Sequence, residues 1–151
     1  MKITDISNVY EVIKEMEMDY KQENLVMLVL NTKNKVIFKE IVFKGGLNSC
    51  IIDPKTLFRK ALEKNGNAMI IAHNHPSGDL EPSNEDIEVT NNLKEAGKLI
   101  NLQLLDHVIF TDKNYSSIIW ERFAEKGYYK IKTSFIYSTA SSIDVVFAPF
   151  K

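Results

Sequence analysis

Apolar positions along this chain recur with two periods, and the switches between them mark its elements. From Asp5 to Tyr20, Ile6, Val9, Ile13 and Met16 recur at helical spacing with charges between them, which predicts an amphipathic helix. Leu25 to Leu30 is a continuous apolar run, short for a helix and dense enough for a buried strand. Asn31-Thr32-Lys33-Asn34 is turn chemistry, and Val36 to Phe43 reads as the returning strand of a hairpin. Asp53-Pro54 supplies a cap followed by proline at the first helical position. Leu57, Phe58, Ala61 and Leu62 form the apolar face of that helix, and Asn65-Gly66 closes it. A strand from Ala68 to Ala72 follows, then a polar loop and a helix from about Asn84 to Gly97. Leu102 to Phe110 is another strand, Thr111–Asn114 a turn, and Tyr115 to Trp120 a final strand. The order αββαβαββ predicts an α/β fold with a mixed β-sheet flanked by helices. Ligand sites in such sheets lie beyond strand ends, where a loop hands over to a helix.

Residues 121–151 do not extend the pattern. Tyr128, Tyr129, Ile131, Phe135, Ile136, Tyr137, Ile143, Val145, Val146, Phe147 and Phe150 make them aromatic and β-favouring. The division expected is a domain over 1–120 and a β-rich extension of it over 121–151. That extension completes the core with one or two edge strands; alternatively it forms a homodimer or partner surface.

Length and composition narrow the class. A chain of 151 residues is one domain by size. Nineteen basic and twenty acidic residues give a net charge of -1, which argues against a protein whose main task is gripping nucleic-acid phosphates. The single cysteine, Cys50, allows no internal disulfide and excludes a zinc ribbon. No run approaches membrane-spanning length, and the first residues hold no apolar signal core. The expected compartment is the cytoplasm.

The loop after the Ala68–Ala72 strand concentrates the chemistry. Two of the three histidines lie there, in Ala72-His73-Asn74-His75-Pro76-Ser77-Gly78-Asp79. If the strand continues, His73 and His75 project from the same side, because side chains alternate. Asp86 returns eleven positions later, where the next helical pattern begins. Two imidazoles and a carboxylate can supply three ligands and leave the fourth position of a tetrahedral zinc open, the mark of a catalytic site. A plainer reading covers part of this: Ser83 and Asp86 are spaced as a capping box, with Ser83 at the N-cap. Capping does not explain the His-x-His-Pro upstream. Asp79 and Glu81 read as exposed loop acids, and Gly78 as the residue of a tight bend.

His73-x-His75, followed after ten residues by Asp86 with Ser83 three before it, resembles the JAMM (MPN-plus) zinc metalloprotease signature. The fuller run His-Asn-His-Pro-Ser-Gly-Asp-x-x-Pro-Ser-x-x-Asp is similar to the RadC-like bacterial branch, historically called DNA repair proteins. The likeness runs from about Glu23 to Tyr115, through Leu30–Asn34, Gly45-Gly46-Leu47-Asn48 and Leu104-Leu105-Asp106-His107. It implies a cytidine-deaminase-like JAB/MPN architecture, a Zn2+ cofactor held by His73, His75 and Asp86, and hydrolysis of a peptide or isopeptide amide bond. Asn74 stands where deubiquitinating members usually carry Ser or Thr, which counts against ubiquitin-like substrates.

Such chemistry also needs a base and an oxyanion donor. Glu23 and Glu40 compete for the first role. Glu23 directly precedes the first strand, where the family's catalytic glutamate sits, so the resemblance favours it. The resemblance likewise makes Ser83 the oxyanion donor. His107, in a mostly apolar strand, reads as a structural histidine held by a neighbouring carboxylate. The leading function is a zinc-dependent metallopeptidase or isopeptidase, and the alternative is a DNA-associated accessory protein without peptidase activity. A nucleobase deaminase would need His-x-Glu with Pro-Cys-x-x-Cys, and one cysteine rules against it.

Overall fold

Local chemistry starts the first helix where the sequence says and stops it early. In the computed structural model, α1 spans Ile6–Lys14 and opens on a reciprocal capping box between Asp5 and Asn8. Periodicity predicted a helix reaching Tyr20. Instead Met16, Met18 and Tyr20 leave the helix and still pack against the core, so their apolar spacing records burial rather than helical turns. The structure describes residues 1–45 and 52–119, together with the backbone of residues 129–130 and 146–147. Cys50 and Gly46–Asn48 lie outside these residues.

The strands β1 (Glu23–Leu30) and β2 (Val36–Gly45) form the expected hairpin, and α2 (Pro54–Glu63) follows with Asp53 as its cap. Then come β3 (Ala68–Asn74), α3 (Asn84–Leu99), β4 (Gln103–Phe110) and β5 (Tyr115–Ser117). The sheet order is β2-β1-β3-β4-β5. Only β3 and β4 are parallel; β1 runs antiparallel to both β2 and β3, and β5 is antiparallel to β4. Among the described residues, the mixed sheet flanked by α1, α2 and α3 is the α/β fold expected. Asn34, Asn65 and Asn101 all take positive φ, a conformation asparagine tolerates better than most residues.

Two apolar layers sandwich the sheet. Ile6, Val9, Val12 and Ile13 of α1 pack on Val26, Leu28, Ile70, Ala72 and Val108. Leu57 and Ala61 of α2 and Leu93 of α3 pack on the alternate positions Leu25, Met27, Val29, Met69 and Ile71. Helices on both faces explain why β1 and β3 are buried almost throughout, as their unbroken apolar runs require. The α3–β4 junction is tight against main chain: a Cβ on Gly97 would lie 2.3 Å from the Leu102 main-chain oxygen. Gly97→Ala should therefore cost about 1–3 kcal/mol. Thermal unfolding checks this, at about 2–4 °C per kcal/mol for a chain of this size. An unchanged melt would mean that the junction relaxes freely.

Two expectations change at the C-terminal side. The strand predicted over Tyr115–Trp120 ends at Ser117, and the Ile119 amide donates to the buried Asp106 carboxylate at 3.4 Å instead of to a strand neighbour. Within 121–151, β6 (Tyr129–Lys130) and β7 (Val146–Phe147) pair with each other in a separate two-stranded sheet, not at an edge of the main one. The rest of the expected extension lies outside the described residues.

Candidate metal centre

β3 runs two residues further than its apolar stretch suggested, so His73 and Asn74 belong to the strand and His75 follows directly. Leu25 of β1 lies opposite His73 in the antiparallel register. Alternation places His73 on the same face as Ile71 and Met69, the face covered by α2 and α3. The chain then turns: Gly78 takes φ 81°, and its amide donates to the His75 carbonyl at 2.8 Å. Ser116 of β5 ties the loop down by donating to the Leu80 carbonyl at 2.8 Å. Asp79 and Glu81 are exposed, as read from the sequence.

Ser83 caps α3. Its hydroxyl oxygen accepts from the Asp86 amide at 3.0 Å, and the Asp86 carboxylate accepts in return from the Ser83 amide at 2.9 Å. The capping reading of this pair holds. It does not exhaust Asp86, because the same carboxylate lies 3.3 Å from His73 Nε2 through Oδ1 and 3.3 Å from His75 Nε2 through Oδ2. His73 Nε2 and His75 Nε2 are 2.9 Å apart. Two imidazole nitrogens and the two oxygens of one carboxylate, from β3, its loop and α3, thus converge, and one donor atom from each residue lies within 4.8 Å of the others. Zinc–nitrogen and zinc–oxygen bonds of about 2.0–2.2 Å at tetrahedral angles place ligand atoms about 3.3 Å apart, close to the separations found here. His75 adds a second sign of fitness. Its Nδ1 lies 2.9 Å from the Asp79 carbonyl, which can only accept, so Nδ1 carries a proton and Nε2 is the ring atom left for a metal.

Electrostatics agree with a shared site. Burial would raise the Asp86 carboxyl, but hydrogen bonds to His73 and His75 outweigh it and hold the group well below the usual carboxylate range. The imidazole of His75 is pushed up, first by its hydrogen bond to Asp86 and against the effect of burial. The Asp79 carbonyl and the charges of Asp86 and Glu23 add to that rise.

Glu23 is the first residue of β1, two positions before Leu25 and so on the same face of the sheet as His73. It is half-buried and pairs in register with Gly45. Glu40, by contrast, lies opposite Met27, four residues or about 13 Å further along the strand. Its carboxylate forms an ion pair with Lys60 of α2 at 3.1 Å.

Asn74 has a structural task that the sequence did not disclose. Its side-chain oxygen accepts from the Asn24 amide at 2.8 Å and from the Asn24 side chain at 3.0 Å. Its amide nitrogen donates to the carbonyls of Tyr20 and Gln22 at 3.2 and 2.8 Å. The residue between the two histidines therefore holds the segment that leads into Glu23.

The expected carboxylate partner of His107 is corrected. Its ring nitrogens face Thr90 Oγ1 at 2.6 Å and His73 Nδ1 at 2.7 Å, while Asp106 accepts from the His107 main-chain amide at 2.7 Å. An extra residue in β4 opposite the Met69–Ile70 step shifts the register and brings His107 level with Ile71. Burial above all, with the charge of His73 next, holds His107 well below the ordinary imidazole range. Thr90 was not singled out from the sequence. Its signal was its spacing, one helical turn after Asp86 on the same face.

A family model described as the RadC-like JAB domain matches residues 3–127. The chain belongs to this family. A UPF0758 protein of Staphylococcus haemolyticus is 45% identical over 132 residues, 87% of this chain and 56% of that protein. A UPF0758 protein of Clostridium perfringens is 44% identical over 118 residues, 78% of this chain and 52% of its own length. This RadC-like JAB domain thus spans about half the length of the relatives it matches. Among its described residues, no helix is long and apolar enough to cross a membrane.

Proposed function

We propose that this RadC-like JAB domain is a zinc-dependent metallopeptidase or isopeptidase that hydrolyses an amide bond. The observation that carries the reading is the convergence of His73 Nε2, His75 Nε2 and the two Asp86 carboxylate oxygens, at contacts of 2.9 to 3.3 Å. His73, His75 and Asp86 would hold the ion. When bound, zinc supplies Lewis acidity that polarises a carbonyl and makes water acidic near neutral pH. Glu23, outside the ligand set, would take the proton of the attacking water and return it to the leaving amine. Ser83 already accepts from the Asp86 amide through an oxygen lone pair and still has a hydroxyl proton to donate to the oxyanion.

Elemental analysis of the purified protein is the test, with about one zinc per chain expected. His75→Ala should lose that zinc and keep its far-ultraviolet circular dichroism, because His75 lies beyond the end of β3. Asp86→Asn retains an acceptor for the Ser83 amide but loses the anionic ligand, and should also lose zinc. Stoichiometric zinc in a protein lacking both His73 and His75 would remove the assignment.

A further inference from the structure

We propose that Thr90 and His107 are positioning residues, a one-directional hydrogen-bond chain that keeps a proton on His73 Nδ1 and so leaves Nε2 as the ring atom available to a metal. The inference deepens the zinc reading and rests on it for its purpose, though not for its geometry.

The direction of the chain follows from counting protons. It begins at the Asp86 main-chain carbonyl, which can only accept, with Thr90 Oγ1 2.6 Å away. A hydroxyl has one proton. Were Thr90 to turn that proton toward His107, its oxygen would face the carbonyl oxygen at 2.6 Å with no proton between them. Thr90 therefore donates to Asp86, and toward His107 Nδ1, at 2.6 Å, it accepts. The proton on that line belongs to His107 Nδ1.

His107 is 0% exposed, and its ring nitrogens meet only a hydroxyl and another imidazole. A doubly protonated ring there would be a buried charge without a carboxylate hydrogen bond, so the neutral form prevails. Its one proton is already on Nδ1, which leaves Nε2 as an acceptor. His73 Nδ1, 2.7 Å away, must then donate. A proton is thereby committed to His73 Nδ1, on the side away from His75 and Asp86. The other ligand histidine keeps a proton on the same ring nitrogen through the Asp79 carbonyl, so two separate elements, a loop and α3, leave Nε2 to the metal in both rings. The strand register that brings His107 level with Ile71 makes the second route possible.

Long-range 1H–15N correlation of the imidazoles reads which ring nitrogens carry protons, in zinc-free and zinc-loaded protein. In the wild type, His73 and His107 should both carry a proton on Nδ1. Thr90→Val removes the acceptor with little change of shape. It should let His107 move its proton to Nε2, facing His73, and weaken zinc binding in chelator competition by about 10- to 100-fold. Thr90→Ser, which restores the hydroxyl, should recover both the tautomer and the affinity. Wild-type protein in which either ring lacks a proton on Nδ1 would overturn the proposal without any variant having to fold. So would a folded Thr90→Val protein unchanged in both tautomer and affinity. Nδ1 tautomers in a wild type that takes up no zinc would uphold the hydrogen-bond chain and overturn the zinc reading instead.

Discussion

Glu23→Gln is expected to leave zinc bound and to lower amide hydrolysis by about 100- to 10,000-fold, the range spanned by loss of a general base. Gln keeps the size and polarity of the side chain but cannot take up a proton. The position suits the role: Glu23 begins β1 on the face that carries His73, and the Asn74 side chain holds the preceding residues through the carbonyls of Tyr20 and Gln22. The assay compares wild type and variant on a fluorogenic peptide amide that the zinc-loaded wild type cleaves, with metal content measured on the same samples. Glu40→Gln is the control. It breaks an ion pair with Lys60 between partly exposed side chains, worth at most about 1 kcal/mol, and should leave turnover unchanged. If Glu40→Gln lost activity and Glu23→Gln kept it, the base would be Glu40.

At Ser83 the capping and catalytic roles predict different losses. Ser83→Ala removes the acceptor for the Asp86 amide and should cost about 0.5–2 kcal/mol of stability. A pure cap would lose no more than that, and turnover per folded molecule would be unchanged. An oxyanion donor would in addition lower kcat by about 100- to 1,000-fold. Ser83→Asp separates the two, because an aspartate caps a helix well but sets a negative charge against the developing oxyanion. Its melting temperature and zinc content should match the wild type while catalysis is lost. An active Ser83→Asp enzyme would leave Ser83 as a helix cap and nothing more.

Much of the site was legible because its signals are local. Alternation along a strand put His73 and His75 on one side, and the Ser83–Asp86 spacing marked the start of α3. Both depend on residues within a few positions of one another, where backbone geometry alone sets direction. The cap at Asp53, the asparagine turns and the unbroken apolar runs of β1 and β3 were readable for the same reason. Where burial imitates periodicity, local reading fails. Met16, Met18 and Tyr20 follow an amphipathic helix in spacing yet reach the core from irregular chain, because tertiary contacts decide where α1 ends.

The remaining features join residues far apart in the sequence. Asn24 and Asn74, 50 positions apart, meet only because β1 and β3 are neighbours in the sheet. The separation of Glu23 from Glu40 needed the register of the β1–β2 hairpin and the arrival of Lys60 from α2. His107 became a partner of His73 and Thr90, rather than of an acid beside it, through one extra residue in β4 and the packing of α3 on the sheet. The sequence by itself determined which residue types could bind a metal and which local elements carry them. Only the tertiary structure decided which of them touch, because strand order and register are set by packing the whole core and not by any one segment.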